Sequence, residues 1–129
     1  MSEMLSRKVG EMEYDGLVIG ITPEVQVGGR TIRKTDAETV FERGTVFGKS
    51  SADNMLVVIG TEAAEGETIT PDCILCDDIT VGGEDVIAVV YTAGCFDVNK
   101  IKVKDGYAMT EKDFDELRRY GIVFKAAQK

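Results

Sequence analysis

Histidine is missing from this 129-residue chain. Without an imidazole, no Ser-His-Asp or Cys-His nucleophile can be assembled, and zinc loses its nitrogen ligand. The side chain that ordinarily titrates near neutral pH is lost as well. Basic charge is also scarce: fifteen Lys and Arg face twenty-three Asp and Glu, a net charge of −8 with a pI near 4.6. Nucleic acid is held by lysine and arginine displacing counterions from phosphates, so direct nucleic-acid binding is not expected. Cysteine is limited to Cys73, Cys76 and Cys95, an odd and sparse set for a small secreted scaffold. The longest apolar run, Val86–Tyr91, falls far short of the ~20 residues of a membrane helix. Met1-Ser2-Glu3-Met4 lacks the basic-then-apolar order of a signal peptide. The chain is therefore expected to fold in the cytoplasm, with no membrane partner.

At 43% hydrophobic and 29% charged residues, the composition is that of a globular domain, and the length suits one core. The charge is unevenly placed. Residues 1–35 hold five basic and five acidic side chains, whereas Ser50 to Asn99 holds ten acidic side chains and no lysine or arginine. No ion pair can form inside that stretch, so most of its carboxylates are expected to face water as a solubilising surface that repels polyanions.

Along the chain, residues 1–16 are polar, with Gly10 and Gly16 as flexible points. Leu17-Val18-Ile19-Gly20-Ile21 is apolar and β-branched, and Pro23 follows. Val25-Gln26-Val27 and Arg30-Thr31-Ile32 alternate on either side of Gly28-Gly29, a pattern that predicts a two-residue hairpin. The compact part is expected to begin near Phe41, with strands over Thr45–Phe47, Met55–Ile59, Cys73–Cys76 and Val86–Tyr91. The last two runs are continuous, which predicts strands covered on both faces. One helix is marked: Thr110 as N-cap, acidic residues from Glu111 to Glu116, Arg118 and Arg119 at the far end and Gly121 to close it. The fold class expected is mainly β with one short C-terminal helix (α+β), divided into an extended N-terminal arm over residues 1–40 and a compact domain over 41–129.

The motifs that suggest chemistry fail on inspection. Gly48-Lys49-Ser50 imitates the end of a phosphate loop, but the required earlier glycine falls on Arg43, and Thr45-Val46-Phe47 is strand-forming. Cys73 and Cys76 form a CxxC inside an apolar strand, where positions three apart point to opposite faces. Buried free thiols are expected, with no metal and no cofactor. The pairs Asp77-Asp78 and Glu84-Asp85 are neighbours in extended chain and point apart, so neither is a ready acid/base couple.

The order and spacing of several segments resemble the lambda-type head decoration proteins of tailed bacteriophages. The pieces are Arg43-Gly44-Thr45-Val46-Phe47, Val86–Tyr91, Thr92-Ala93-Gly94-Cys95-Phe96-Asp97-Val98-Asn99 and Leu117-Arg118-Arg119-Tyr120-Gly121-Ile122. Together they cover about residues 40–124, with a looser likeness in the preceding arm. The resemblance implies a non-enzymatic β-clip-like domain that forms a homotrimer on the outer surface of the virion. Such trimers sit at three-fold and quasi-three-fold positions and clamp neighbouring subunits of the major capsid protein after expansion. It also implies an N-terminal arm that adds a strand to capsid protein, because unpaired strand-forming chain is satisfied by another chain. The residues expected to make that contact are Leu17, Val18, Ile19 and Ile21 first, then Val25, Val27 and Ile32. Three readings compete with it: the same segment as an early part of the protein's own sheet, an oligomeric β-barrel enzyme converging Asp77, Asp78 or Asp97 on a nucleotide or sugar, and another virion part such as a tail-tube or head-completion protein.

Overall fold

The computed structural model describes residues 16–20 and 23–125. Nine strands and one helix follow one another along it: β1 Val18–Gly20, β2 Gln26–Ile32, β3 Thr39–Phe41, β4 Val46–Ser50, β5 Leu56–Val58, β6 Ile69–Leu75, β7 Ile79–Val81, β8 Val86–Asp97, α1 Glu111–Arg119 and β9 Ile122–Lys125. Over the described residues the protein is mainly β with one short helix, near the C-terminus.

Five strands close on themselves. β8 pairs β2 and β6, β6 pairs β4, β4 pairs β5, and β5 returns to β2 through Ile32 and Leu56. The closed ring has an interior filled by Ile32, Phe47, Leu56, Cys73, Leu75, Ala88 and Val90, joined by Val81 of β7. Closure removes most of the exposed strand edges. Side chains of opposite parity on the same strands face outward. On one side of the ring they form a second core: Val46, Ile74 and Tyr91 pack with Leu17 and Val18 of the β1 region, Phe96, Leu117 of α1 and Ile122 of β9. Burying an aliphatic or aromatic side chain of this kind contributes about 1.5–3 kcal/mol.

β8 is the spine shared by both layers. It pairs with β2 as far as Ala93, then takes β1 and β9 as its neighbours from Gly94 onward. Gly94 stands at that change of partner with φ +149°, and a Cβ there would lie 2.8 Å from the Phe96 ring. Only glycine suits both conditions.

The helix forms where expected. Thr110 caps it: the Asp113 amide donates to Thr110 Oγ1 at 3.2 Å and the Thr110 amide to Asp113 Oδ2 at 3.0 Å, a reciprocal pair satisfying two orphan donors. Asp113 also accepts from the Tyr107 hydroxyl, which pushes the Tyr107 pKa up to about 12. Gly121 closes the helix, its amide donating to the Arg118 carbonyl at 3.0 Å.

Three expectations are corrected. Gly28-Gly29 does not turn: β2 runs straight through it, with Gly28 opposite Val90 and Gly29 opposite Val89. A continuous partner strand fixes extended backbone that two glycines alone would leave open. Residues 17–32 are not set apart from a domain starting at 41, because Leu17 and Ile32 are each 1% exposed and β2 is a wall of the ring. Up to Val90 the run Val86–Tyr91 is covered on one face only: Ile87 is 77% and Val89 55% exposed, while Ala88 and Val90 are buried; cover on both faces begins at Tyr91. Parity, and not the continuity of the apolar run, decides which side chains enter the ring.

Candidate interaction surface

The side chains predicted for a capsid contact are divided by the structure. Leu17 and Val18 are buried in the outer core, where Val18 sits opposite Phe96 and the Leu17 carbonyl accepts from the Asp97 amide at 2.8 Å. Ile19 and Val25 are half-buried, Val25 against the same core. Ile32 is inside the ring. Ile21 lies outside the described residues. Only Val27 presents its side chain to solvent, 58% exposed.

Val27 does not stand alone. On β2 the outward positions are Val27, Gly29 and Thr31, and they face Tyr91, Val89 and Ile87 of β8 in register. Paired positions of an antiparallel ladder share one face, and diagonal neighbours lie within side-chain reach. Val27, Val89 and Ile87 therefore make one apolar strip on the outer wall of the ring, with Gly29 leaving its middle flat. Among the described residues, no helix or strand lies over this strip. Sequence reading found Val27 but assigned it to an extended, capsid-binding arm, and expected the run holding Ile87 and Val89 to be covered on both faces. The signal it lacked was the β2–β8 register.

The strip ends at Tyr91, which is 2% exposed, packed in the outer core with Arg43 against its ring. The guanidinium lies 5.4 Å from the ring centroid, and its Nη1 donates to the Tyr91 hydroxyl at 2.6 Å and to the Cys76 carbonyl at 3.0 Å. Burial pushes the Tyr91 hydroxyl above its usual pKa, against the opposing effect of the Arg43 hydrogen bond. Burial likewise pushes Cys76 up to about 11, which keeps it a thiol.

At the other end, β2 is pinned by charge. Arg33 Nε and Nη2 reach Asp53 at 3.0 Å each, and Nη2 reaches Glu67 at 2.8 Å. Glu67 also accepts from the Ser50 hydroxyl and from the Ala64 amide at 2.9 Å. Those bonds, with Ser50 the largest cause, lower the Glu67 pKa to about 2, and Arg33 lowers that of Asp53. Nearby, Arg30 pairs with Asp72 at 3.4 Å. Three carboxylates of the acidic stretch are thus matched by arginines of β2 and its end, while seven of its ten acids are exposed, as expected.

The other candidate motifs take structural places. Gly48-Lys49-Ser50 lies extended in β4. Cys73 faces the ring interior and Cys76 the outer core, so the two thiols point apart, and all three cysteines are free and buried. Asp78 accepts from the Arg43 amide at 2.7 Å and Asp85 from the Lys34 amide at 2.8 Å, each tying a loop to its neighbour. Asp97 is buried, accepting from the Asn99 amide at 2.8 Å. Asp77, Asp78 and Asp97 do not converge within one subunit: no group of three or more Cys, Asp or Glu placed to hold a metal occurs among the described residues. No described helix is long and apolar enough to cross a membrane. Comparison with protein-family models and with curated proteins found no match to this chain.

Proposed function

We propose that this protein is a capsid decoration protein, binding the outside of an expanded phage head as a trimer and clamping adjacent major capsid subunits. The observation that carries the reading is the bare strip Val27, Val89 and Ile87 on an otherwise well-filled β barrel. Burying such a strip against another protein removes apolar surface from water. The segment resemblance, running from Arg43 through Ile122, supplies the kind of partner. The acidic stretch supports an outward-facing position, away from packaged DNA.

The reading moves the contact from arm to wall. Leu17 and Val18 are committed to the outer core and Ile32 to the ring, so strand donation by residues 17–32 would require opening both. A trimer multiplies a modest contact per subunit into firm attachment, because later contacts form at high effective concentration.

The test mixes purified protein with expanded, undecorated heads of the phage whose genome carries this gene, followed by sedimentation and particle imaging. Protrusions at three-fold positions, lost in the Ile87→Asp, Val89→Asp double variant, are expected. Heads that stay bare with the unaltered chain sink the proposal. Light scattering checks the assembly state: a strict monomer at micromolar concentration contradicts the trimer.

A further inference from the structure

Lysine returns to the surface just past β8. Lys100, Lys102 and Lys104 are exposed, whereas Ile101 and Val103 between them are half-buried against the outer core. Backbone bonds fix that alternation. The Lys102 amide donates to the Gly44 carbonyl at 3.0 Å, and the Lys102 carbonyl accepts from the Val46 amide at 2.8 Å. Three lysines therefore share one outward face. Lys102 Nζ donates to the Arg43 carbonyl at 3.2 Å, and none of the three meets a carboxylate among the described residues.

The opposite charge collects where β8 begins. The Thr35 amide donates to the Gly82 carbonyl at 2.8 Å, and the Lys34 amide to Asp85 at 2.8 Å. These bonds tie the loop carrying Asp36 and Glu38 to the turn carrying Glu84 and Asp85. All four acids are exposed, and Lys34 is the one base within 34–38 and 82–85. Between this acidic end and Lys100 lie the twelve residues of β8, about 36 Å of extended chain. That is several times the screening length of about 8–10 Å, so the two patches do not neutralise each other within one subunit.

We propose that the Lys100, Lys102, Lys104 row of one subunit docks on the acidic end of the next, and that this contact holds the trimer together. The inference rests on the trimer of the capsid reading and names its interface. Complementary potentials select which patch meets which. Neither patch suits a twofold axis, where it would meet itself and repel. Joined to each other, the two make a head-to-tail contact, which closes into a ring when its rotation permits. Each subunit then satisfies one neighbour with its lysines and the other with its carboxylates.

The experiment is sedimentation equilibrium of the full chain from about 20 mM to about 1 M sodium chloride, over which the screening length falls from about 20 Å to about 3 Å. Salt is expected to weaken trimer association about tenfold or more. The Lys100→Glu, Lys102→Glu, Lys104→Glu variant should be monomeric where the parent is trimeric, and so should Asp36→Lys, Glu38→Lys, Glu84→Lys. A chain carrying all six changes keeps the net charge at −8 and should trimerise again. A trimer indifferent to salt and to both reversals overturns the proposal and leaves the capsid reading standing. A strict monomer at every salt concentration overturns the trimer of that reading as well. A dimer, with both patches paired across a twofold axis, also overturns the proposal. So does a lysine variant that stays trimeric but no longer decorates heads, because the row then meets capsid instead. The salt titration needs no variant, so a misfolded reversal leaves the test intact.

Discussion

Strand β8 is two strands in physical terms. From Val86 to Val90 it has one face in the ring interior and one in water, and exposure alternates residue by residue. From Tyr91 to Asp97 every residue but Thr92 is buried, because β1 and β9 flank it and the core that includes Leu117 lies against it. Both halves are apolar in sequence. What separates them is whether a second layer of the same chain is present, which shows that a hydrophobic run reports a need for cover without saying who provides it. In the first half, no described helix or strand provides it.

The comparison predicts unequal responses to mutation. Phe96→Ala, in the doubly covered half, should cost about 3–5 kcal/mol in chemical denaturation, the usual cost of emptying a large aromatic site. Equal losses for Ile87→Ala and Phe96→Ala in dilute monomer would erase the distinction between the halves. Arg43→Ala, at the junction, should cost about 1–3 kcal/mol by leaving the Tyr91 hydroxyl without its donor. Ultraviolet titration should then show the Tyr91 pKa rising further, since the Arg43 hydrogen bond is what lowers it.

Acid should loosen the bare half first. The carboxylate of Glu67 is held at about 2, below its ordinary 4.5, and that of Asp53 is also lowered. A depressed carboxylate pKa contributes stability that is present above about pH 4.5 and lost as pH falls toward 2. Hydrogen exchange between pH 5 and 3 should therefore show Thr31, Ile32 and Val86 losing protection before Cys95–Asp97, and Glu67→Gln should flatten that dependence. Simultaneous loss in both halves would show that the Arg33–Asp53–Glu67 cluster does not hold β2. The smallest effect belongs to Ile87→Ser and Val89→Ser, within about 0.5 kcal/mol of the parent in the isolated chain, yet each should weaken attachment to heads. A larger loss of stability would mean that the strip is already covered in solution.

Much of the fold was legible because local chemistry specifies it. Thr110, the acidic first turn and Gly121 delimit the helix within a residue, since caps and helix dipoles act over a few positions. The strands near Val46, Leu56, Ile74 and Val86 were placed from β-branched and apolar runs. The opposed thiols of Cys73 and Cys76 followed from strand parity alone. The candidate surface was less legible. Leu17, Val18 and Ile32 have the composition of a sticky arm and also that of a core, and nothing local separates the two. Gly28-Gly29 carries a turn signal that the β8 ladder overrides.

By itself, the sequence determined that no imidazole is present, the position of its marked helix, the β character of its runs and the excess of acid over base. Those properties depend on residue type and near-neighbour spacing. Tertiary structure alone decided that β2 closes a ring, that Leu17 and Ile32 go inside while Val27, Ile87 and Val89 stay out, and that Arg43 seals Tyr91. Each of those outcomes is set by the register between segments distant in the chain, where a shift of one residue exchanges the buried face for the wet one.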